Sequence, residues 1–263
     1  MQFKRDGICC LSDVFSDNDV DCVSHEIDKV VSTRPAGLVF EATSSAPRAL
    51  QGPHLTSTIL TRLASDRRLL VPAMALLNGP VYVHQYKVNF KQAFVGDLWP
   101  WHQDFAYWHR LDGLPRPDLV TAMIALDEVT EFNGPLFFIL GSHRYGLIQD
   151  ERGSDRDAVE DVNRSFSSRL PFQLDISQIG KMLVGSNLVA PKGGRGLLVF
   201  FAANVAHASL PNLTPYCRRL LLITYNRTDN RPIGERSPRP GYVAGDSYEA
   251  LEEIRDFATS AGE

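Results

Sequence analysis

VYVHQYKVNF, residues 81–90, decides the fold. It is dense in β-branched and aromatic residues, the composition of a half-buried pleated surface. A strand's period of two puts Gln85, Lys87 and Asn89 on one face and Tyr82, Tyr86, Val88 and Phe90 on the other. The polar stripe either lines a pocket or faces water. Working outward, TAMIALDEV (121–129), LFFIL (136–140), LLVFF (197–201) and LLLITYN (220–226) read as further strands. Asn133-Gly134-Pro135 and Gly141-Ser142 are turn signals beside them. Strands joined by turns, without regular helices between them, form an antiparallel sandwich or barrel. The expected class is mainly β with flanking helices.

Upstream, residues 1–80 read mostly as helix. Ser16 followed by Asp17, Asn18 and Asp19 starts one, and Val20, Val23, Ile27, Val30 and Val31 follow at helical spacing. A loop rich in Ser, Pro, Gly and Ala covers 32–54. A second helical stretch runs near 56–78, with Pro72 breaking it or opening a new helix. Downstream, the polar segment 150–170 interrupts the strands as a surface excursion or a lid. A short helix is expected near 175–184, and a last one on Tyr248, Leu251, Ile254, Phe257 and Ala258. One domain over 1–263 follows: a helical flank (1–80), a strand core (81–230) and a C-terminal extension (231–263).

The 263 residues are 44% hydrophobic and 22% charged, an ordinary globular balance. A net charge of -4 brings no general attraction to nucleic acid or anionic membrane, so the expected partner is a small molecule or another protein. Cys9, Cys10, Cys22 and Cys217 form no CxxC pair and no zinc-ribbon spacing. Free thiols, a cytoplasmic location and a monomer or homodimer are the expectations.

The chemistry is concentrated in WPWHQDFAYWHRLDG, 99–113. In a strand, His102 and Asp104 share a face and converge on one point. Of the seven histidines, only His207 follows one strong β-run, LLVFFAANVAH, and precedes another, RRLLLITYN. Two histidines and a carboxylate make a facial triad that leaves three adjacent positions open on iron(II). Zinc takes similar ligands, so a passive cupin-like metal-binding protein is the non-enzyme alternative. Arg218 and Arg219 follow His207 by eleven and twelve residues, and either guanidinium can take a carboxylate in two prongs. An iron site facing an arginine suits a dicarboxylate 2-oxo acid. Trp99, Trp101, Tyr107 and Trp108 form an aromatic shell that excludes water. Gln85, Lys87, Arg227 and Arg239 are candidate partners for the carboxylate and ammonium of a substrate.

Taken in order, VYVHQYKVN, GDLWPWHQDF, LDEVTEFNGPLFF, GSHRYGL and LLLITYNRTDN resemble the phytanoyl-CoA dioxygenase superfamily of iron(II)/2-oxoglutarate oxygenases. The resemblance is greatest to its free amino-acid hydroxylases, of the trans-4-proline and leucine 5-hydroxylase type, and more distant to ectoine hydroxylase. It implies a double-stranded β-helix (jelly-roll, cupin-like) core, with His102, Asp104 and His207 as iron ligands. It selects Arg218 as the 2-oxoglutarate clamp, with Ser209 assisting and Asn89 near the co-substrate. Gln85, Trp108 and, less directly, Phe201 match substrate-facing positions. Related halogenases have Gly or Ala in place of the carboxylate ligand, so Asp104 implies hydroxylation. Leu222 stands where ectoine hydroxylase has an aromatic residue, which argues against ectoine itself. The implied reaction is hydroxylation of an unactivated C–H bond of a free L-amino acid with a proline-like or leucine-like side chain. A natural-product intermediate or another small zwitterion is the alternative.

Overall fold

The structure is a computed structural model that describes residues 2–148, 170–234 and 239–258. The N-terminal part contains α1 (Gln2–Asp6), β1 (Ile8–Leu11), α2 (Asp17–Ser32), β2 (Leu38–Phe40), β3 (Pro47–Gln51), α3 (Thr58–Ser65) and α4 (Arg67–Leu77). The core adds β4 (Val81–Lys91), β5 (Trp99–His102), α5 (Asp104–Arg110), β6 (Leu119–Ala125), β7 (Leu136–Ile139), α6 (Ile176–Leu183), β8 (Leu188–Val189), β9 (Leu198–Ala202), β10 (His207–Ser209) and β11 (Arg218–Arg227). A seven-stranded sheet runs β1-β9-β6-β11-β4-β3-β2, and a four-stranded sheet runs β5-β10-β7-β8. All strand pairs within these sheets are antiparallel. The antiparallel sandwich expected from the strand pattern is the fold, in the two-sheet jelly-roll form that the resemblance implied.

The two faces of β4 explain its composition. Tyr86, Val88 and Phe90 pack with Leu60, Leu63, Leu69 and Leu70 of the helices and with Val20, Val23 and Ile27 of α2. Each such fully buried aliphatic side chain contributes roughly 1.5–3 kcal/mol as an upper bound. Gln85, Lys87 and Asn89 line the cavity between the sheets instead. The polar stripe is therefore the wall of a pocket and not a solvent face.

Helix α2 begins as read: Ser16 caps the Asp19 amide, and the Asp19 carboxylate returns to the Ser16 backbone as a capping box. Helix α6 also falls where expected. Helices occupy about half of the N-terminal 80 residues, and β1 and β3 from the same stretch pair with β9 and β4. Three expectations fail. The run 32–54 is not merely a loop, because it holds β2 and β3, which pair with each other, while β3 also pairs with β4. The helix at 56–78 breaks at Asp66, not at Pro72. Asp66 caps α4 through the Arg68 amide and grips the Arg68 guanidinium, while Pro72 lies inside α4. No helix forms at 248–258; this stretch is irregular, with Leu251 N donating to Val81 O and Ile254 N to Ser65 O. The segment proposed as a lid, 150–170, falls outside the described residues except for Leu170.

Candidate functional site

His102 ends β5, Asp104 opens α5, and His207 opens β10. The strand argument for HxD thus holds only for its first member. Convergence comes from a turn, and the pairing of β5 with β10 sets His207 directly opposite His102. Their rings lie 4.2 Å apart, centroid to centroid. Each imidazole ties Nδ1 to a backbone carbonyl two residues upstream: His102 to Pro100 O at 2.7 Å and His207 to Val205 O at 3.0 Å. A carbonyl only accepts, so Nδ1 carries the proton and Nε2 keeps its lone pair. Those two Nε2 atoms stand 3.7 and 3.8 Å from the two Asp104 oxygens.

The donor atoms of all three residues lie within 4.8 Å of one another. Asp104 Oδ2 is buried without a hydrogen-bond partner. Burial works against ionisation of Asp104. The Lys87 ammonium, 3.5 Å away, and the two imidazoles outweigh it and hold the carboxyl well below the usual range. Burial, with His102 alongside, pushes His207 down to about 3, so it is neutral near pH 7. An orphaned carboxylate oxygen facing two imidazole nitrogens fits a divalent cation.

The residue between the ligands was missed by sequence reading. Gln103 donates to Gly146 O at 2.9 Å and Asn204 O at 2.6 Å, and accepts from Ile148 N at 2.9 Å. It pins the HxD turn to the turn before His207 and to the loop after β7. The GSH motif serves the same end. Ser142 accepts the Ala206 amide at 2.8 Å, and His143 O accepts the Asn204 amide group at 2.8 Å. His143 itself contacts Lys4 O rather than the triad. Phe201 does not line the cavity. Its ring packs against His207 at 5.4 Å and Phe138 at 5.2 Å, and supports the ligand from behind. Trp108 does line the cavity, and Tyr107 stands edge-on to His102.

Arg218, the first residue of β11, is buried on the cavity wall. Its Nη2 donates to Ser209 Oγ at 3.1 Å and to Gly134 O, and its Nε has no partner. Burial draws this guanidinium down to about 9, against the opposing charge of Asp127. A buried arginine with no carboxylate against it among the described residues calls for an anion. Arg219 faces the other way and pairs with Asp127 at 2.9 Å, so of the two arginines it is Arg218 that lines the cavity. Gly134 of the NGPL motif has φ +77°, and a Cβ there would meet Leu210 O at 2.6 Å. Lys91 was also missed: it stands opposite Arg218 in the β4–β11 register, buried, with its ammonium donating to Asp97 O. Burial and the nearby Arg218 and Arg48 pull it down to about 6.

Asn89, Gln85, Lys87 and Arg239 line the same cavity, which encloses about 640 Å³ including its open mouth. That is room for two small molecules by the usual scale of ligand sites. Arg227 is not among the lining residues; it pairs with Asp229 at 2.7 Å.

Three comparisons bear on this geometry. The chain is 38% identical over 247 residues to the L-proline trans-4-hydroxylase of Streptomyces griseoviridis, covering 94% of this chain and 92% of that protein. It superposes on crystal structures of EctD from S. alaskensis. The structure with 2-oxoglutarate and 5-hydroxyectoine matches at TM-score 0.80 and 31% identity, covering 97% of this chain and 84% of that one. The structure with bound Fe matches at TM-score 0.79 and 30% identity, covering 96% and 85%. Residues 3–220, a span that includes His102, Asp104, His207 and Arg218, match the phytanoyl-CoA dioxygenase (PhyH) model, and the chain belongs to that family.

Proposed function

We propose that this dioxygenase hydroxylates an unactivated C–H bond of a free L-amino acid with a proline-like or leucine-like side chain, using iron(II), 2-oxoglutarate and O2. The overall balance converts R–H, O2 and 2-oxoglutarate into R–OH, succinate and carbon dioxide. Iron(II) with its co-substrates supplies the oxidising power when bound. The observation that carries the reading is one cavity with two unlike ends: an imidazole and carboxylate face at His102, Asp104 and His207, and a buried arginine at Arg218 with no carboxylate against it among the described residues.

In this reading, His102, Asp104 and His207 hold the metal. Arg218, with Ser209 and Lys91 beside it, takes the distal carboxylate of 2-oxoglutarate. Asn89, whose Oδ1 has no hydrogen-bond partner, lies on the wall nearby. Trp108 and Tyr107 exclude water. Gln85 spends its Nε2 on Val243 O at 3.0 Å, which leaves the amide oxygen as an acceptor for a substrate ammonium. The amino-acid assignment draws on the likeness to the proline hydroxylase and on Leu222 in the cavity wall.

The test is a mass-spectrometric screen of the proteinogenic amino acids with iron(II), 2-oxoglutarate and ascorbate. A product heavier by one oxygen, formed in step with succinate, is expected from proline or leucine. Turnover confined to larger natural-product acids or to other zwitterions would replace the amino acid as the substrate class.

A further inference from the structure

Three loops beside the Arg218 end form an apolar face on the outside of the molecule. They span 92–97, 130–134 and 210–217, and backbone hydrogen bonds knit them together. Phe94 N donates to Thr214 O at 3.1 Å, Asn212 N to Gly96 O at 2.9 Å and Leu213 N to Phe132 O at 3.1 Å. The buried Asn212 side chain fixes the third loop to the first. It donates to Lys91 O at 3.1 Å, to Gln92 O at 3.2 Å and to Tyr216 O at 2.7 Å, and it accepts from the Thr214 amide at 2.9 Å. On this scaffold stand Phe94, Val95, Phe132, Leu210, Leu213 and Tyr216, each 40–74% exposed. Phe94 has φ +58°, in the left-handed region that bulky residues rarely adopt, so this ring is presented against local backbone preference.

Area and charge point to what covers this face. At those exposures the six residues offer about 700 Å² of mostly apolar surface, above the ~300–600 Å² of the largest patch on a typical monomer and close to the ~800 Å² that each partner buries in a standard interface. Phenylalanine and tyrosine are what interface cores favour. The three loops contain no lysine and no arginine, so nothing in them draws the face to an anionic membrane. Their two acidic residues are Asp97 and Glu131, and Glu131 is paired with Lys192 at 3.6 Å. A face with so little charge can meet its own copy across a two-fold axis without setting like charges against each other. The loops also adjoin the anion end. Lys91, next to the first loop, donates to Asp97 O within it, Gly134 O of the second accepts from Arg218 Nη2, and the third runs from Ser209 to Arg218.

We propose that this face is the interface of a two-fold homodimer, and that pairing braces the loops that hold Arg218. The interface stands on the face alone, whereas the brace rests on the reading of Arg218 as the 2-oxoglutarate clamp. A second copy seated on the loops opposes their local opening and so favours the arrangement in which Gly134 O and Ser209 Oγ hold the guanidinium.

Sedimentation velocity on the full chain at micromolar concentration reads the interface. The wild type should sediment as a dimer. F94D and L213E each bring two like charges into a two-fold contact, and both should sediment as monomers. Aspartate tolerates the left-handed region better than phenylalanine, so F94D should fold. L55E, a charge on an exposed apolar residue outside the three loops, should remain a dimer. The brace is read as 2-oxoglutarate affinity from the anaerobic charge-transfer band with iron(II). The monomeric variants should bind 2-oxoglutarate on the order of tenfold more weakly, with Mn(II) affinity unchanged. A wild type that stays monomeric overturns the proposal, and so does a dimer that persists in F94D/L213E. Wild-type binding to phosphatidylserine/phosphatidylcholine vesicles that F94D abolishes overturns it too, and makes the face a membrane-docking surface. If the variants do not fold, hydrogen exchange on the wild type decides: slower exchange at 92–97 and 210–217 as concentration rises supports the interface, and unchanged exchange overturns it. Wild-type 2-oxoglutarate affinity in the monomeric variants overturns the brace. A wild type that binds no 2-oxoglutarate sinks the clamp reading and the brace with it, while the sedimentation result still judges the interface.

Discussion

The two ends of the cavity are organised by opposite means. At the metal end, each imidazole is oriented by a carbonyl only two residues away, and Gln103 locks the turn through three hydrogen bonds. The charges there are largely balanced before any ion arrives, because Lys87 stands beside Asp104. At the other end, Arg218 is held by Ser209 and by Gly134, 84 residues away in the chain, and it has no carboxylate against it. One end is preorganised and nearly satisfied. The other stores an unmet demand for negative charge. The difference teaches that metal and dicarboxylate should be separable by mutation, although they share one pocket.

The largest expected effect is at Asp104. D104A should lower divalent-cation affinity by more than about a hundredfold, since losing even an outer partner of a metal ligand costs 10–100-fold. Hydroxylation should fall with it. Calorimetry with Mn(II) in the absence of oxygen reads the affinity, and wild-type binding would remove Asp104 from the ligand set. Next is the anion end. R218Q should raise KM for 2-oxoglutarate on the order of a hundredfold and leave Mn(II) affinity nearly unchanged. Parallel loss of both affinities would erase the distinction between the ends.

The smallest effect concerns Lys91. Its ordinary value of 10.5 falls to about 6 in the folded chain, so the unfolded chain binds the extra proton between those values. Folding stability on this account rises with pH across that window and is depressed below it. K91M should therefore raise the melting temperature near pH 7 in the absence of ligand, with the gain fading toward pH 10. It should also weaken 2-oxoglutarate binding. A melting temperature lower than wild type at pH 7 would show that Lys91 is a structural cation and not a charge held in reserve for an anion.

The legible parts of this protein are those with local causes. The capping box at Ser16, the period-two stripe of β4 and the β-runs around His207 each arise from neighbours in sequence. His102, Asp104 and His207 were readable because residue type narrows metal ligands sharply, even though the strand geometry assumed for Asp104 was not the one used. Arg218 and Arg219 could not be told apart by spacing alone. Asp127 and Asp28 draw Arg219 outward, and neither is near it in the chain. Strands β1, β2 and β3 were missed because each is only three to five residues long, too short for a clear alternation. The tail at 250–258 was misread because its apolar residues, three apart, mimic a helix while its backbone bonds go to Val81 and Ser65.

The sequence by itself determined the class of chemistry and the strand-rich core, since alternation and ligand type are properties of the chain. Only the tertiary structure decided which face of β4 meets the cavity, which of two adjacent arginines stands in it, and that Gln103 ties the turn after His102 to the turn before His207. Those are questions of burial and charge pairing between distant segments. Their physical cause is the cost of leaving a buried polar group without a partner, which no single stretch of sequence can display.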